Sequence, residues 1–471
     1  MQAKIFFGSK EATKETLSKR KSPYNGEVVS TAPVCDEADA KKALKIAQEA
    51  TLLAKASTLS QRCNWLLDVA SKLCENKEDI AKTITDEVGK PIAFARIEVE
   101  RCIETVRLSA ETMRTMHGET IHTDAMPSGK KTTAFFSRVP VGVVVAITPF
   151  NFPLNLVAHK LAPALVAGNA VVLKPTPEAP LTAYKFAKLF VESEFAVKNA
   201  LSVVYGDAEV GSALITSDIP RVISFTGSVP VGNIITKNAG IKKVSLELGG
   251  NAATFIDKSA DLDLAAERCA LGAFVNSGQV CISLQRIYVD AEIYDKFADK
   301  MAEATKKLVV GSPYDDDTFM GPLIDDEAAS RAMAWVESAI EEGAKPLLPP
   351  SREGRMFHPC VMADVTDEMA IVCEEVFAPI VSLVKVDGFD DACPRMNNSP
   401  YGLQFSVFTN DLKLMQKAIE ELEAGGIVIN DMPTLRFDIQ PYGGVKLSGV
   451  GREGPKFAIE EMTEIKSVII C

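Results

Sequence analysis

The chain has 471 residues, 47% apolar and 24% charged, with a formal net charge of −12. That length holds two or more domains of ordinary globular composition, and the acidic balance argues against a broad nucleic-acid surface. Ten scattered cysteines without CxxC pairs, and only four histidines, argue against a disulfide framework or a zinc cluster and for a reduced compartment.

Met1 to Phe7 runs into charged sequence, with no signal-peptide core, and no apolar run approaches the ~20 residues of a membrane span. A soluble, cytoplasmic protein without a membrane partner is expected. After the charged lead, Pro23–Glu27 is a turn signal before a short strand at Val28–Thr31, and Asp36 is placed to cap a helix. Helical patterns follow over Ser60–Asn76, Lys77–Val88 and Pro91–Met116, an amphipathic run read as packing apart from Arg101. Two strand-like segments, Glu119–Thr123 and Thr132–Val139, flank Pro127-Ser128-Gly129 and read as a hairpin.

From Gly142 buried strands alternate with helices. The strands are Val143–Ile147, Ala170–Lys174, Leu201–Val204, Val222–Phe225 and Val244–Leu246; the helices are Leu154–Ala167, Leu181–Phe195, Glu209–Thr216 and Val229–Asn238. This rhythm implies an α/β fold with a parallel, doubly wound sheet, whose ligands lie at the carboxyl ends of the strands. A second alternating section covers Ala252–Ile429, and Thr463–Ile470 reads as a final strand. That last strand is expected to pair with the hairpin of a neighbouring subunit, hiding both edges.

Several residues could carry chemistry. Cys281 follows an apolar helix that breaks at Asn276-Ser277-Gly278; a thiol after a glycine-loosened turn is accessible, with backbone N–H groups near it. Taken blindly, a free cysteine is more often a small buried hydrophobe. Lys174 ends a strand, where a cation suits a phosphate or a ribose hydroxyl, although a solvated loop lysine fits as well. Gly227-Ser228 opens a helix, a place where phosphate binds. Glu247 precedes two glycines and could activate water or simply cap a helix; Asn151, in a proline-bounded loop, offers an amide donor or an Asx-turn.

Together these pieces resemble the aldehyde dehydrogenase superfamily, in its NAD(P)-dependent, non-acylating branch. The resemblance rests on Thr148-Pro149-Phe150-Asn151-Phe152-Pro153-Leu154, Lys174-Pro175, Phe225-Thr226-Gly227-Ser228, Glu247-Leu248-Gly249-Gly250 and Asn276–Cys281. It continues through Glu374-Glu375-Val376-Phe377-Ala378-Pro379 and Pro441–Gly449, in order and spacing over nearly the whole chain. It implies a Rossmann-like cofactor domain at residues 1–118 and 140–249, and an α/β catalytic domain at 250–449. Residues 119–139 and 450–471 would form a small β oligomerisation element of a homodimer or homotetramer.

The resemblance also implies roles. Cys281 would be the nucleophile, the Asn151 amide and the Cys281 N–H the oxyanion donors, and Glu247 the activator of the hydrolytic water. Lys160 and Glu453 match a proton relay behind Glu247. Lys174, Glu375 and Phe377 match cofactor-ribose contacts, and Gly227 and Ser228 the pyrophosphate turn; Thr148, Pro149, Phe150, Leu248 and Gly249 lie in the same cofactor-facing motifs. One departure concerns the cofactor: three residues after Lys174, where NAD-preferring relatives often carry a glutamate, stands Pro177, with Glu178 one place later. The element that repels a 2′-phosphate is thereby weakened, so NADP is expected to be accepted, or preferred, alongside NAD.

Arg101, His159 and Arg436 fall near the substrate pocket, with Phe152, Leu156 and Tyr442 completing its wall, which suggests a small aldehyde bearing an anion. The segment Asn430–Asp438 is similar to the branch of lactaldehyde and phosphonoacetaldehyde dehydrogenases. Alternatively the arginines form structural ion pairs, Arg436 with Asp438 and Arg101 with Glu98 or Glu104. Two further alternatives are a CoA-acylating semialdehyde dehydrogenase, against which Glu247 argues, and a catalytically silent protein on the same scaffold.

Overall fold

The runs Val143–Ile147, Ala170–Lys174 and Val222–Thr226 are buried at every position, because helices cover both faces of their sheet. In a computed structural model describing Met1–Cys471, these strands pair in parallel with Leu201–Val203 and Lys243–Glu247. Across the sheet the order is Leu201–Val203, Ala170–Lys174, Val143–Ile147, Val222–Thr226, Lys243–Glu247. The order therefore reverses beside Val143–Ile147, and the crevice at its carboxyl end is where a doubly wound sheet binds its ligand.

The second sheet is parallel through Cys360–Ala363, Ile380–Val386, Leu284–Asp290, Ala252–Ile256, Gln404–Phe408 and Gly426–Ile429, with an antiparallel edge at Lys345–Pro346. Apolar clusters cover both its faces. No helix is long and apolar enough to cross a membrane.

Three expectations need correction. The charged N-terminal lead holds strands: Ile5–Phe7 pairs antiparallel with Leu201–Val203 and carries Lys10–Ala12 on its outer edge. The Leu181–Phe195 helix instead spans Pro180–Val191. The C-terminal strand Thr463–Ile470 pairs with Thr133–Pro140 of its own chain, not with a neighbour's hairpin, and Glu119–Thr120 completes that sheet. The chain reaches its own hairpin because the preceding helix Pro455–Glu461 packs on Asn155–Val166 and Ile92–Thr115.

Two helices that follow site loops lack a cap of their own. Asn155–Val166 and Pro180–Val191 have no side-chain hydrogen bond at the N-cap. Buried glutamates supply it from elsewhere. Glu98 accepts the N–H groups of Leu154 and Asn155 at 2.8 and 3.2 Å, and Glu87 those of Leu181 and Thr182 at 2.9 and 2.8 Å. Carboxylates at helix N-termini gain from the dipole and satisfy orphaned donors. The Asn151 loop and the Lys174 loop are thus both anchored to the helical layer Lys77–Thr115.

Candidate active site

The two sheets meet at a cavity of about 650 Å³, with the strand-end loops of the first sheet on one side and the Cys281 turn on the other. Asn151, Glu247, Cys281, Glu375, Arg436 and Tyr442 all contribute to its wall.

The turn before Cys281 is held in place, not loosened as the glycine suggested. After the helix Leu262–Phe274, three successive residues are left-handed: Asn276, Ser277 and Gly278, with φ of 51°, 56° and 72°. For the first two this is strained backbone, stable only when surroundings over-determine it. Ser277 Oγ donates to the Gly321 carbonyl at 2.7 Å, and Gln279 Nε2 to the Asn276 carbonyl at 3.2 Å. Gln279 Oε1 in turn accepts the Ile324 N–H at 2.9 Å. A Cβ at Gly278 would strike the Ala378 carbonyl oxygen, 2.2 Å away.

Cys281 is half-buried, and its sulfur lies 3.1 Å from Tyr442 Oη. Burial pushes the thiol up to about 11, against the Tyr442 hydrogen bond and the Arg436 charge, which lower it. At neutral pH the resting group is a thiol, so a base must take its proton. Asn151 donates one amide hydrogen to the Gln279 carbonyl at 3.1 Å and retains a second.

Glu247 is 3% exposed, and neither carboxylate oxygen has a hydrogen-bond partner. Burial first, then the charge of Glu453, raises it well above the usual carboxylate range. Behind it, Lys160 Nζ donates to Glu453 Oε1 at 3.1 Å and to Ser224 Oγ at 3.2 Å. Arg436 Nη2 donates to Glu453 Oε2 at 3.0 Å. Burial would raise Glu453 as well, but these cations overcome it and hold the group low. The two carboxyls are pushed apart, one raised so that it can carry a proton and the other held as an anion.

The basic wall is paired, though with other partners than expected. Arg101 grips Asp438 through Nε and Nη2 at 2.9 and 2.7 Å. Asn155 Nδ2 donates to the same carboxylate at 3.1 Å. Arg436 pairs with Glu453, not Asp438, and its guanidinium carbon lies 3.7 Å from the Tyr442 ring centre. Glu98 pairs with Lys90, both 1% exposed, while Lys90 Nζ lies 4.0 Å from the Phe152 ring centre.

Arg101, Arg436, Phe152, Leu156 and Tyr442 line the cavity; His159 does not. That expectation is corrected: His159 is 1% exposed, with Nε2 3.0 Å from Asp438 and 3.2 Å from Arg436 Nη2. Burial and the Arg436 charge lower its pKa, so it stands as a neutral ring behind the wall.

On the cofactor-facing side, Thr148, Lys174, Gly227, Ser228, Leu248 and Gly249 gather at the carboxyl ends of the first sheet. Lys174 is 9% exposed; burial lowers its pKa, while Asp207 and Glu178 push back. Pro177 is exposed, and Glu178 accepts a hydrogen bond from Thr176 Oγ1. Ser228 precedes the helix Val229–Asn238 without capping it by side chain, leaving first-turn N–H groups open to an anion. Glu375 Oε1 accepts the Gly250 N–H at 3.0 Å, and burial raises it to about 7. Phe377 is left-handed at φ 48°, its ring edge-on to Phe150 with centres 6.0 Å apart. A Cβ at Gly249 would strike the Glu375 carboxylate. The cradle, open helix terminus and buried lysine fit a dinucleotide.

Sequence reasoning missed Arg331, which lines the cavity and donates to the Val376 carbonyl at 3.0 Å. It also missed the Lys90–Glu98 pair as a support for Phe152. Neither carries a local signal, since each acts on a loop far away in the chain.

Comparison with known proteins points to one family. A family model described as "Aldehyde dehydrogenase family" matches residues 9–468. A 3-sulfolactaldehyde dehydrogenase of Priestia aryabhattai is 44% identical over 448 residues, 95% of this chain and 93% of that protein. A lactaldehyde dehydrogenase of Methanococcus aeolicus is 41% identical over 454 residues, 96% of each. The NADP-dependent glyceraldehyde-3-phosphate dehydrogenase of Bacillus halodurans C-125, solved with NADP, superposes with a TM-score of 0.98. It is 32% identical, with 100% of this chain and 99% of that one covered. The chain belongs to the aldehyde dehydrogenase family.

Proposed function

We propose that this chain, an NAD(P)-dependent aldehyde dehydrogenase, oxidises a small anionic aldehyde to its carboxylic acid through a covalent bond to Cys281. The observation that carries this is one cavity holding a thiol, an amide donor, an unpartnered buried carboxylate and the guanidinium groups of Arg101 and Arg436 beside them. In this reading Cys281 Sγ gives up its proton to solvent and adds as thiolate to the carbonyl carbon. Burial and the Glu453 charge raise Glu247, which suits it to take up a proton. The free Asn151 N–H and the Cys281 N–H receive the developing oxyanion. The nicotinamide, when bound, supplies the hydride acceptor. Glu247 then draws a proton from the water that attacks the thioester, and Lys160 and Glu453 hold charge behind it.

Lys174 and Glu375 would contact the cofactor riboses, and Gly227, Ser228 and the following helix terminus the pyrophosphate. Thr148, Pro149, Phe150, Leu248, Gly249 and Phe377 would complete that wall. Exposed Pro177 in place of a carboxylate supports acceptance of NADP, as does the NADP-bound relative. The sheet of Thr463–Ile470 and Thr133–Pro140 exposes Phe135, Ile465 and Ile469, which supports a subunit contact in a homodimer or homotetramer.

Arg101 and Arg436 at the cavity wall support an anionic substrate, and the sulfolactaldehyde-oxidising relative agrees. Steady-state kcat/KM for 3-sulfolactaldehyde, lactaldehyde and propanal tests this, with the anionic substrate expected at least tenfold ahead. Equal efficiency on all three would end the anionic reading. A CoA-acylating reaction is disfavoured by Glu247, and omission of CoA should leave the rate unchanged.

A further inference from the structure

The two groups assigned to the oxyanion belong to different halves of the molecule. Asn151 follows the strand Val143–Ile147 of the first sheet, and Cys281 precedes the strand Leu284–Asp290 of the second. Their direct links are few: Asn151 Nδ2 donates to the Gln279 carbonyl at 3.1 Å, and the Asn276 amide reaches the Asn151 carbonyl at 3.5 Å. A short segment remote from both in the chain, Gly89-Lys90-Pro91, touches each side.

Towards the Cys281 turn the contact is backbone against backbone. A Cβ at Gly321 would lie 2.4 Å from the Gly89 carbonyl oxygen, and one at Gly89 would lie 2.6 Å from Pro322 Cγ. The Gly321 carbonyl is the one that receives Ser277 Oγ, and the Ile324 N–H of the same loop is held by Gln279. Just past the segment, the Ile92 N–H donates to the Pro313 carbonyl at 2.8 Å. Gly89 therefore presses on the loop that clamps the strained turn.

Towards the Asn151 loop the contact is Lys90. It is 2% exposed, pairs with Glu98 and lies 4.0 Å from the Phe152 ring centre. Glu98 holds the N–H groups of Leu154 and Asn155, and the Phe152 N–H donates to Asn151 Oδ1 at 3.1 Å. With Oδ1 occupied, the orientation of the Asn151 amide is tied to Phe152. A buried ion pair gives little stability over apolar groups of the same size, so stability alone does not account for Lys90.

We infer that Gly89-Lys90-Pro91 is a brace that sets the spacing between the Asn151 amide and the Cys281 N–H. Gly89 and Lys90 are positioning residues; neither lines the cavity. The inference rests on the reading of Asn151 as an oxyanion donor. Two donors serve one oxygen only if both come within ~2.7–3.1 Å of it. A shift of about 1 Å in one half of the site therefore takes a donor out of reach, a loss of ~10²-fold in rate.

The test reads the pre-steady-state rate of cofactor reduction in the full enzyme. It uses NADP and whichever of 3-sulfolactaldehyde and lactaldehyde the parent oxidises faster. Two variants act from opposite ends of the brace. Gly321→Ala wedges a methyl against the Gly89 carbonyl. Lys90→Met combined with Glu98→Gln removes the ion pair but keeps an acceptor for the Leu154 and Asn155 N–H groups. Each should slow reduction by roughly 10- to 100-fold. Alkylation of Cys281 by iodoacetamide, which builds no oxyanion, should stay within about threefold of the parent. Added to Asn151→Ala, each should slow reduction by less than about threefold, because the donor it positions is already gone.

Reduction at the parent rate in both variants overturns the inference. So does a full further loss on top of Asn151→Ala, or alkylation that slows in step with reduction. An unchanged rate in Asn151→Ala itself would remove the oxyanion reading too, whereas additive losses on an impaired Asn151→Ala remove only the brace. If the Lys90→Met, Glu98→Gln variant fails to fold, Gly321→Ala, a single added methyl, decides alone.

Discussion

The turn carrying Cys281 and the charged wall opposite it are built in opposite ways. The turn is a local device: the first three residues of Asn276–Cys281 are left-handed, Asn276 and Ser277 under strain, and the stretch is clamped by hydrogen bonds to Gly321, Ile324 and its own carbonyls. The wall is a long-range device. Arg101 reaches Asp438 across 337 positions, and Lys160 reaches Glu453 across 293. The turn fixes where a reactive atom sits; the wall fixes how much charge surrounds it. Damage to the first should be all-or-none, and damage to the second graded.

The sharpest break is Cys281→Ala. Aldehyde oxidation should fall by about 10⁴-fold or more, since no other group in the cavity can replace the nucleophile. Activity within tenfold of the parent would contradict a covalent route. Next is Glu98→Ala, which uncaps the helix after the Asn151 loop and strands Lys90. Leaving a buried charge unpaired costs about 3–5 kcal/mol of stability, read from the denaturant midpoint. An unchanged midpoint would show that the long-range caps carry no load.

Asn151→Ala should lower kcat by ~10²–10³, the usual loss for one oxyanion donor, with a smaller change in KM. A change in KM alone would instead make Asn151 a binding group. The smallest effect is expected from Tyr442→Phe. The hydroxyl hydrogen bond lowers the thiol pKa, so its loss raises that pKa further. Alkylation of Cys281 at fixed neutral pH should slow by about fivefold, and the rate should still climb with pH as thiolate forms. Faster alkylation would reverse the assigned sign.

The same contrast explains what was legible in the sequence. Cys281 and Asn151 sit in loops, and Glu247 and Lys174 at strand ends, whose neighbours marked them as candidates, and the five central strands of the first sheet were visible as apolar runs with bounds right to within a residue. The wall was legible only as a set of basic residues. Its counter-ions were misassigned because pairing across hundreds of positions leaves no spacing to read. His159 sits one residue from Lys160 on a helix buried all round, so periodicity could not tell which of its faces meets the cavity. Ile5–Phe7 was missed because it and its near partner Lys10–Ala12 are each three residues, too short to show alternation, and the sheet they join lies almost 200 residues on. The C-terminal strand and the hairpin as its partner were found, but the hairpin was assigned to a neighbouring subunit, since a strand's own sequence does not say which copy it pairs with.

The central claim is that Cys281 carries the oxidised substrate and Glu247 releases it. Rapid mixing of Glu247→Gln with NADP and 3-sulfolactaldehyde tests this directly. The account predicts a burst of reduced cofactor equal to the enzyme concentration, followed by near-arrest, with the substrate's acyl mass on the Cys281 peptide. A linear trace with no burst, and no mass added to Cys281, would contradict it.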